Sequence, residues 1–210
     1  MSLAGQIAAS LDAAVRWPVP HGGEICLIDM GGIRAPADAL VSGLGPSEQS
    51  RARRLVSDRR RREFTASRHL VRALRREMAS DRACSWSRSR GWLAFASADV
   101  PALGVDLEIM RPLDFAAMLP VICEARERET LSRAARLESP EAFLRIWTAK
   151  EAVMKAMGEG FRAGVRTVRL PGNVMHLSER DSACLSVAGH AYRLLTRARG
   201  PARISLAMAA

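Results

Sequence analysis

The 210-residue sequence predicts an α+β protein, and three observations carry that prediction. Nearly half of the residues (48%) are apolar, enough to build a core at this length. Two long segments, 50–78 and 140–157, repeat apolar residues at helical spacing. Short runs of strand character surround them, and no low-complexity linker divides the chain.

Residues 1–23 read as mixed, with Trp17-Pro18-Val19-Pro20 and His21-Gly22-Gly23 marking irregular structure or a turn. Residues 24–30 (EICLIDM) read as a strand closed by Gly31-Gly32, and 37–44 as a short helix ending at Gly45-Pro46. Ser47 starts a helix with Glu48 in its first turn, where a carboxylate suits the helix dipole. The 50–78 segment is basic, with Leu55, Phe64, Leu70, Val71 and Leu74 as its apolar stripe. A break near Ser57 leaves Asp58 to cap a second helix. Residues 83–98 read as a strand bearing Trp92, Leu93 and Phe95, entered through Ser85-Trp86-Ser87-Arg88-Ser89-Arg90. The next strand, 102–108, stops at Arg111-Pro112. Helices are expected over 113–119 and 126–137. A further helix starts at Ser139-Pro140-Glu141 and ends at Gly158. Short strands at 166–170, 182–188, 192–196 and 203–208 complete the chain.

The formal charge of +10 comes almost wholly from arginine and calls for an acidic partner: nucleic acid, a phosphate-rich cofactor, an acidic protein or an anionic membrane. Cys26, Cys84, Cys123 and Cys184 form no CxxC and have no histidine at ligand spacing, which reads as small thiols in a reducing compartment. No apolar run reaches the length of a membrane span, and no secretory leader is read at the N-terminus. A cytoplasmic protein is expected. His21, His69, His176 and His190 lack a Ser or Cys partner and are read as structural or surface residues.

One internal echo stands out. Residues 64–74 (FTASRHLVRAL) align without a gap on 147–157 (WTAKEAVMKAM), which suggests a duplicated α+β half with a binding cleft between the copies.

The second copy lies close in composition to a catalytic site. In Gly104-Val105-Asp106-Leu107-Glu108 the alternation of a strand points Asp106 and Glu108 the same way. In Trp147-Thr148-Ala149-Lys150-Glu151-Ala152-Val153-Met154-Lys155, helical spacing puts Trp147, Glu151 and Lys155 on one stripe. Carboxylates of this kind suit Mg²⁺, and lysines beside them suit a transferring phosphoryl group. Each piece alone is ordinary, two strand carboxylates and a helix-surface Glu–Lys pair at its margin.

Together the segments resemble the 4′-phosphopantetheinyl transferase superfamily, whose signature is G-[IV]-D followed about forty residues later by [FW]-x-x-K-E-[SA]-x-x-K. Every signature position is matched. The length is similar to the pseudodimeric, surfactin-synthetase-type branch. Pro46 to Arg54, the Phe64…Arg68…Leu70…Arg72 helix and Ser85 to Trp92 resemble further parts of the family, so the likeness covers most of residues 46–160.

The resemblance implies the family fold: two similar α/β halves related by a pseudo-twofold axis, with 1–101 on the coenzyme A nucleotide side and 102–210 on the metal and catalytic side. It implies Mg²⁺ held by Asp106, Glu108 and Glu151, with Glu127 as an acidic position nearby. Catalytic roles fall to Glu151, Lys155 and Lys150, with Glu151 helping to deprotonate the acceptor serine. Coenzyme A contacts fall to Arg51, Ser87, Arg88 and Lys155. The implied partners are coenzyme A as substrate and an acidic apo carrier protein, with no nucleic acid or membrane and a monomeric enzyme. Two departures are visible. Arg88 replaces the family's histidine, and a Gly-Lys-Pro segment is missing before it, where only 79–83 joins the elements; Arg75, Arg76 or Arg82 are candidates to substitute. The alternative is a diverged, non-catalytic protein that grips coenzyme A or nucleic acid through its arginine-rich helices.

Overall fold

Two four-stranded antiparallel sheets stack face to face, each carrying a long helix on its outer surface. This arrangement comes from a computed structural model that describes residues 1–78, 81–112, 116–137, 139–158 and 164–210. The first sheet has the order β1 (Val15–Val19), β2 (Gly23–Asp29), β4 (Trp92–Ala98), β3 (Ala83–Ser89). The second has the order β5 (Leu103–Ile109), β8 (Ala202–Ala209), β7 (His190–Arg199), β6 (Ala183–Val187). The helices are α1 (Leu3–Asp12), α2 (Ala37–Ser42), α3 (Pro46–Arg53), α4 (Asp58–Arg76), α5 (Leu119–Ile122), α6 (Ala125–Ser132) and α7 (Pro140–Ala156).

The period-two alternation of the strands sorts the layers. Ile25 and Leu27 of β2 and Ala94 and Ala96 of β4 meet Val105, Leu107, Ile204 and Leu206 between the sheets. On the outer face of the first sheet, Cys26, Ile28, Leu93 and Phe95 receive Leu70, Val71 and Leu74 of α4. On the outer face of the second, Leu194 and Ala207 receive Ala149, Val153 and their neighbours on α7.

The echo in the sequence is an echo in topology. In each half a strand (β2 or β5) leads through helices ending in the long one (α4 or α7) to a hairpin (β3–β4 or β7–β8). The hairpin's second strand then lies beside the first strand, giving β2-β4-β3 and β5-β8-β7. The fold is α+β with two similar halves.

Most expected elements are present, and the differences have physical causes. Within residues 1–23 the expected turn is present at His21-Gly22, while Ser2 caps a helix, α1, through Gly5 N–H, and 15–19 form β1, which accommodates Pro18 because it is an edge strand. The single strand expected over 83–98 is a hairpin, turned by Arg90 and Gly91, both at positive φ (47° and 83°). Ser57 rather than Asp58 caps α4, and residues 165–167 form a 3₁₀ turn in place of a strand. Of the helix expected at 113–119, positions 113–115 lie outside the described residues, as do 79–80 of the shortened connection; 116–118 form a 3₁₀ turn and α5 begins at Leu119. No helix among the described residues is long and apolar enough to cross a membrane.

Candidate active site

Gly104 decides how closely α7 approaches β5. A Cβ at this position would lie 2.0 Å from Ala152 O and 2.5 Å from Ala156 N, so only glycine lets the helix backbone sit on the strand. That approach brings Lys155 to the next two residues of the strand. Its Nζ donates to Val105 O (3.0 Å) and to Asp106 Oδ1 (2.7 Å).

The opposing edge is β3, whose alternate residues Ser85, Ser87 and Ser89 face β5. Ser85 Oγ accepts from Val105 N–H (3.0 Å), Ser87 Oγ donates to Asp106 Oδ1 (2.8 Å) and Ser89 Oγ donates to Glu108 Oε2 (2.8 Å). A row of three hydroxyls thus joins the two sheets along the carboxylates. The sequence signal for this row is Ser-x-Ser-x-Ser at strand period, of which the family resemblance covers only Ser87.

Asp106 and Glu151 are both buried, and each keeps one oxygen (Asp106 Oδ2 and Glu151 Oε1) without a hydrogen-bond partner among the described residues. Burial, with Asp106 and Glu108 close by, pushes the Glu151 carboxyl up to about 7 against the opposing pull of Lys155. Burial also raises Glu108, partly offset by the Ser89 hydrogen bond. Three carboxylates therefore face one ammonium, and two buried oxygens lack donors. That combination fits a cation. Among the described residues no three His, Cys, Asp or Glu side chains form a ready-made metal cage. Mg²⁺ does not require one, since it ordinarily takes one or two carboxylates and completes its shell with water and substrate phosphate.

Lys150 is placed differently from its expected catalytic position. It is fully buried, donating to Glu127 Oε2 (2.9 Å), Val165 O (3.3 Å) and Val168 O, while Glu127 Oε1 accepts from Leu170 N–H (2.8 Å). Adjacent helix positions point about 100° apart, so Lys150 leaves the Glu151–Lys155 stripe and enters the apolar one with Phe143, Ile146, Val153 and Met154. Of the other charges of α7 expected at its margin, Glu151 is buried too, whereas Lys155 is part-exposed. Glu127, expected near the metal, is committed to this pair. Of the 32 basic residues only Lys150 and Lys155 are lysines, and α7 sends them to two separate carboxylates.

Ser87 and Arg88 also part company, as neighbours on a strand must. Arg88 turns toward α4, where its guanidinium lies 5.4 Å from the Phe64 ring centroid, alongside Arg51 (5.4 Å) and Arg68 (5.7 Å). Arg68 and Arg75 also lie over Trp86, each at 5.2 Å. Glu48 neutralises Arg68 (2.7 Å) and Arg72. Desolvation, then Arg51 and Arg68, lowers the Arg88 pKa, as expected where cations outnumber carboxylates. Of the three candidates to replace the missing segment, Arg75 joins this platform. Arg82 donates to Gly22 O, and Arg76 lines a groove against α1. A cavity of about 440 Å³ is lined by Cys84, Ser85, Trp86, Leu103, Lys155 and Gly158.

The carboxylate side of this site lies in the part of the chain that matches a family model. Residues 102–194 match the model of the 4′-phosphopantetheinyl transferase superfamily. This part of the chain is similar to that superfamily. Two relatives agree. The chain is 31% identical over 105 residues to the 4′-phosphopantetheinyl transferase psf-1 of Bacillus pumilus, covering 50% of this chain and 42% of the relative. It is 27% identical over 147 residues to the 4′-phosphopantetheinyl transferase HetI of a Nostoc species, covering 58% of this chain and 62% of the relative. The match thus spans about half the length of the curated relatives. The superfamily signature coincides with the residues just described: Gly104 for helix approach, Asp106 and Lys155 as an ion pair, and Glu151 beside them.

Proposed function

We propose that this protein transfers the 4′-phosphopantetheine group of coenzyme A to a serine of an apo carrier protein, as a member of the surfactin-synthetase-type branch. The observation that carries the proposal is the seam at Asp106, Glu151 and Lys155, a buried acidic cluster with unpartnered oxygens next to an arginine platform. In this reading residues 1–101 hold the nucleotide end of coenzyme A and residues 102–210 perform the chemistry.

Asp106, Glu108 and Glu151 are the groups that would hold Mg²⁺, which when bound would offset charge on the pyrophosphate oxygens. Lys155, anchored to Val105 O and Asp106, presents an ammonium to the same oxygens. Arg51, Arg68 and Arg88 grip the remaining phosphate charge from the Phe64 side. The acceptor serine oxygen attacks the β-phosphorus while its proton passes to Glu151, whose raised pKa suits a base near neutrality. The bond from phosphorus to the bridging oxygen breaks, and adenosine 3′,5′-bisphosphate leaves with that oxygen. The net charge of +10 favours encounter with an acidic carrier. The protein acts as a monomer in the cytoplasm in this account, because one chain supplies both sides of the cleft.

Incubation of apo carrier proteins with coenzyme A and Mg²⁺ should add the mass of one phosphopantetheine. No mass gain with several carriers, or full activity in Asp106→Ala, would sink the proposal. Salt-sensitive binding to nucleic acid without transfer would favour the arginine-rich binding module instead.

A further inference from the structure

A second charged cavity, of about 190 Å³, lies one strand along the sheet from this seam, between the first half of α7 and the β7–β8 hairpin; its Ser205 and Arg203 are the cross-strand partners of Asp106 and Glu108. Three arginines line it from three elements: Arg145 from α7, Arg197 from β7 and Arg203 from β8. The hydroxyls of Thr148 and Ser205, 2.8 Å apart, lie between them. Backbone carbonyls fix each guanidinium in place. Arg145 Nη1 donates to Leu177 O (2.9 Å), Arg197 Nη1 to Thr196 O (2.8 Å) and Arg203 Nη1 to Gly200 O (2.8 Å).

Those bonds leave donors over. The Nε atoms of Arg197 and Arg203 are buried with no acceptor among the described residues, and Arg197 is only 7% exposed. Desolvation lowers the pKa of Arg145 and of Arg197, the sign of cations that have lost water without full compensation. The neighbouring carboxylates do not supply it. Glu141 reaches Arg203 at 3.3 Å from an exposed position, and Glu179 is exposed at the rim. Glu108 and Asp106, across the strand pair from Arg203 and Ser205, are engaged by Ser89 and by Ser87 with Lys155, so the lining, with three guanidiniums and Glu179, is cationic.

We propose that this cavity binds a tetrahedral oxyanion, either free phosphate or a small phosphomonoester. Three planar forks arriving from different elements match an anion with three or more oxygens better than a two-oxygen carboxylate. The volume is below the roughly 300 Å³ at which pockets begin to take drug-sized ligands, so a nucleotide does not fit. The cavity borders the cleft of the proposed transferase across β5 and β8 but shares none of Asp106, Glu108, Glu151 or Lys155 with it, so the proposal stands whether or not that activity is found.

Isothermal titration of the full chain with sodium phosphate, glycerol 3-phosphate and sodium acetate at constant ionic strength tests it. Phosphate should bind and acetate should not. A matching glycerol 3-phosphate response identifies a monoester site, and its absence a site for the free ion. Arg197→Gln should weaken phosphate binding by about tenfold or more, while Arg133→Gln, at an exposed arginine that ends α6 and pairs with Glu129, leaves it unchanged. Arg203→Gln provides the same test if the first variant does not fold. A repeat on the wild-type protein saturated with coenzyme A should still show phosphate binding. No phosphate binding, equal binding of acetate, or phosphate binding lost to Arg133→Gln or to coenzyme A but not to Arg197→Gln would overturn the proposal.

Discussion

The helices α4 and α7 occupy equivalent places in the two halves yet carry opposite chemistry. Thr65, Arg68 and Arg72 of α4 correspond to Thr148, Glu151 and Lys155 of α7. Under α4 the strand β2 presents Cys26 and Ile28, an apolar floor, whereas under α7 the strand β5 presents Asp106 and Glu108. Arg68 and Arg72 satisfy themselves on Glu48 of α3, outside the sheet, while Lys155 satisfies itself on Asp106, within the strand below. One scaffold, used twice, thus yields an arginine-rich surface in one half and an acidic cleft in the other. The choice rests on two strand positions and one helix position.

The sharpest way to break this comparison is to disturb the acidic half. Glu151→Gln should lower carrier modification by about 10²–10⁴-fold with a native thermal melt, because it removes the base and keeps the shape. Near-normal turnover would mean that the half is structural. Lys150→Met should instead act on folding. Removing one member of a buried pair costs about 3–5 kcal/mol, read as a lower urea midpoint. The double replacement Lys150→Met with Glu127→Leu should recover much of that loss, and a double variant as unstable as the single one would show that the pair is not the cause.

The contrast between Glu151 and Lys150 also marks how far the sequence could be read. The boundaries of α7 were legible, since Ser139 and Pro140 start it and Gly158, at φ 75°, stops it. Strand and helix periods grouped Asp106 with Glu108 and Glu151 with Lys155, and the family signature brought the two groups together. The fate of Lys150 could have been inferred as well, because it sits among Phe143, Ile146, Val153 and Met154 at apolar spacing. A lysine in such a stripe reads as an exposed margin until its buried partner, Glu127 on α6, is known. The arginine platform was harder to read. It joins α3, α4 and β3, and nothing in residue spacing places Arg51, Arg68 and Arg88 around one ring. Likewise β1 was hidden by Pro18, which rules out a central strand but not an edge.

Smaller effects sharpen the comparison. Gly104→Ala should cost about 1–3 kcal/mol or more through overpacking, read as a lower melting temperature, because the methyl collides with α7 backbone rather than a movable side chain. Gly91→Ala, with open space around its Cβ, should be strained only by its positive φ and cost less. The smallest effect concerns the thiols. Burial pushes Cys26 and Cys123 up to about 12, so at pH 8 both should resist iodoacetamide while exposed Cys184 reacts, counted by mass spectrometry. Modification of Cys26 or Cys123 before Cys184 would contradict the burial described here.

The division of labour between the two halves is tested most directly by comparing steady-state kinetics of Glu151→Gln and Arg68→Gln, equivalent positions on the two helices, with coenzyme A and an apo carrier. Glu151→Gln should abolish kcat, whereas Arg68→Gln should raise KM for coenzyme A by about tenfold while kcat stays near wild type. Loss of kcat in Arg68→Gln with turnover retained in Glu151→Gln would contradict it.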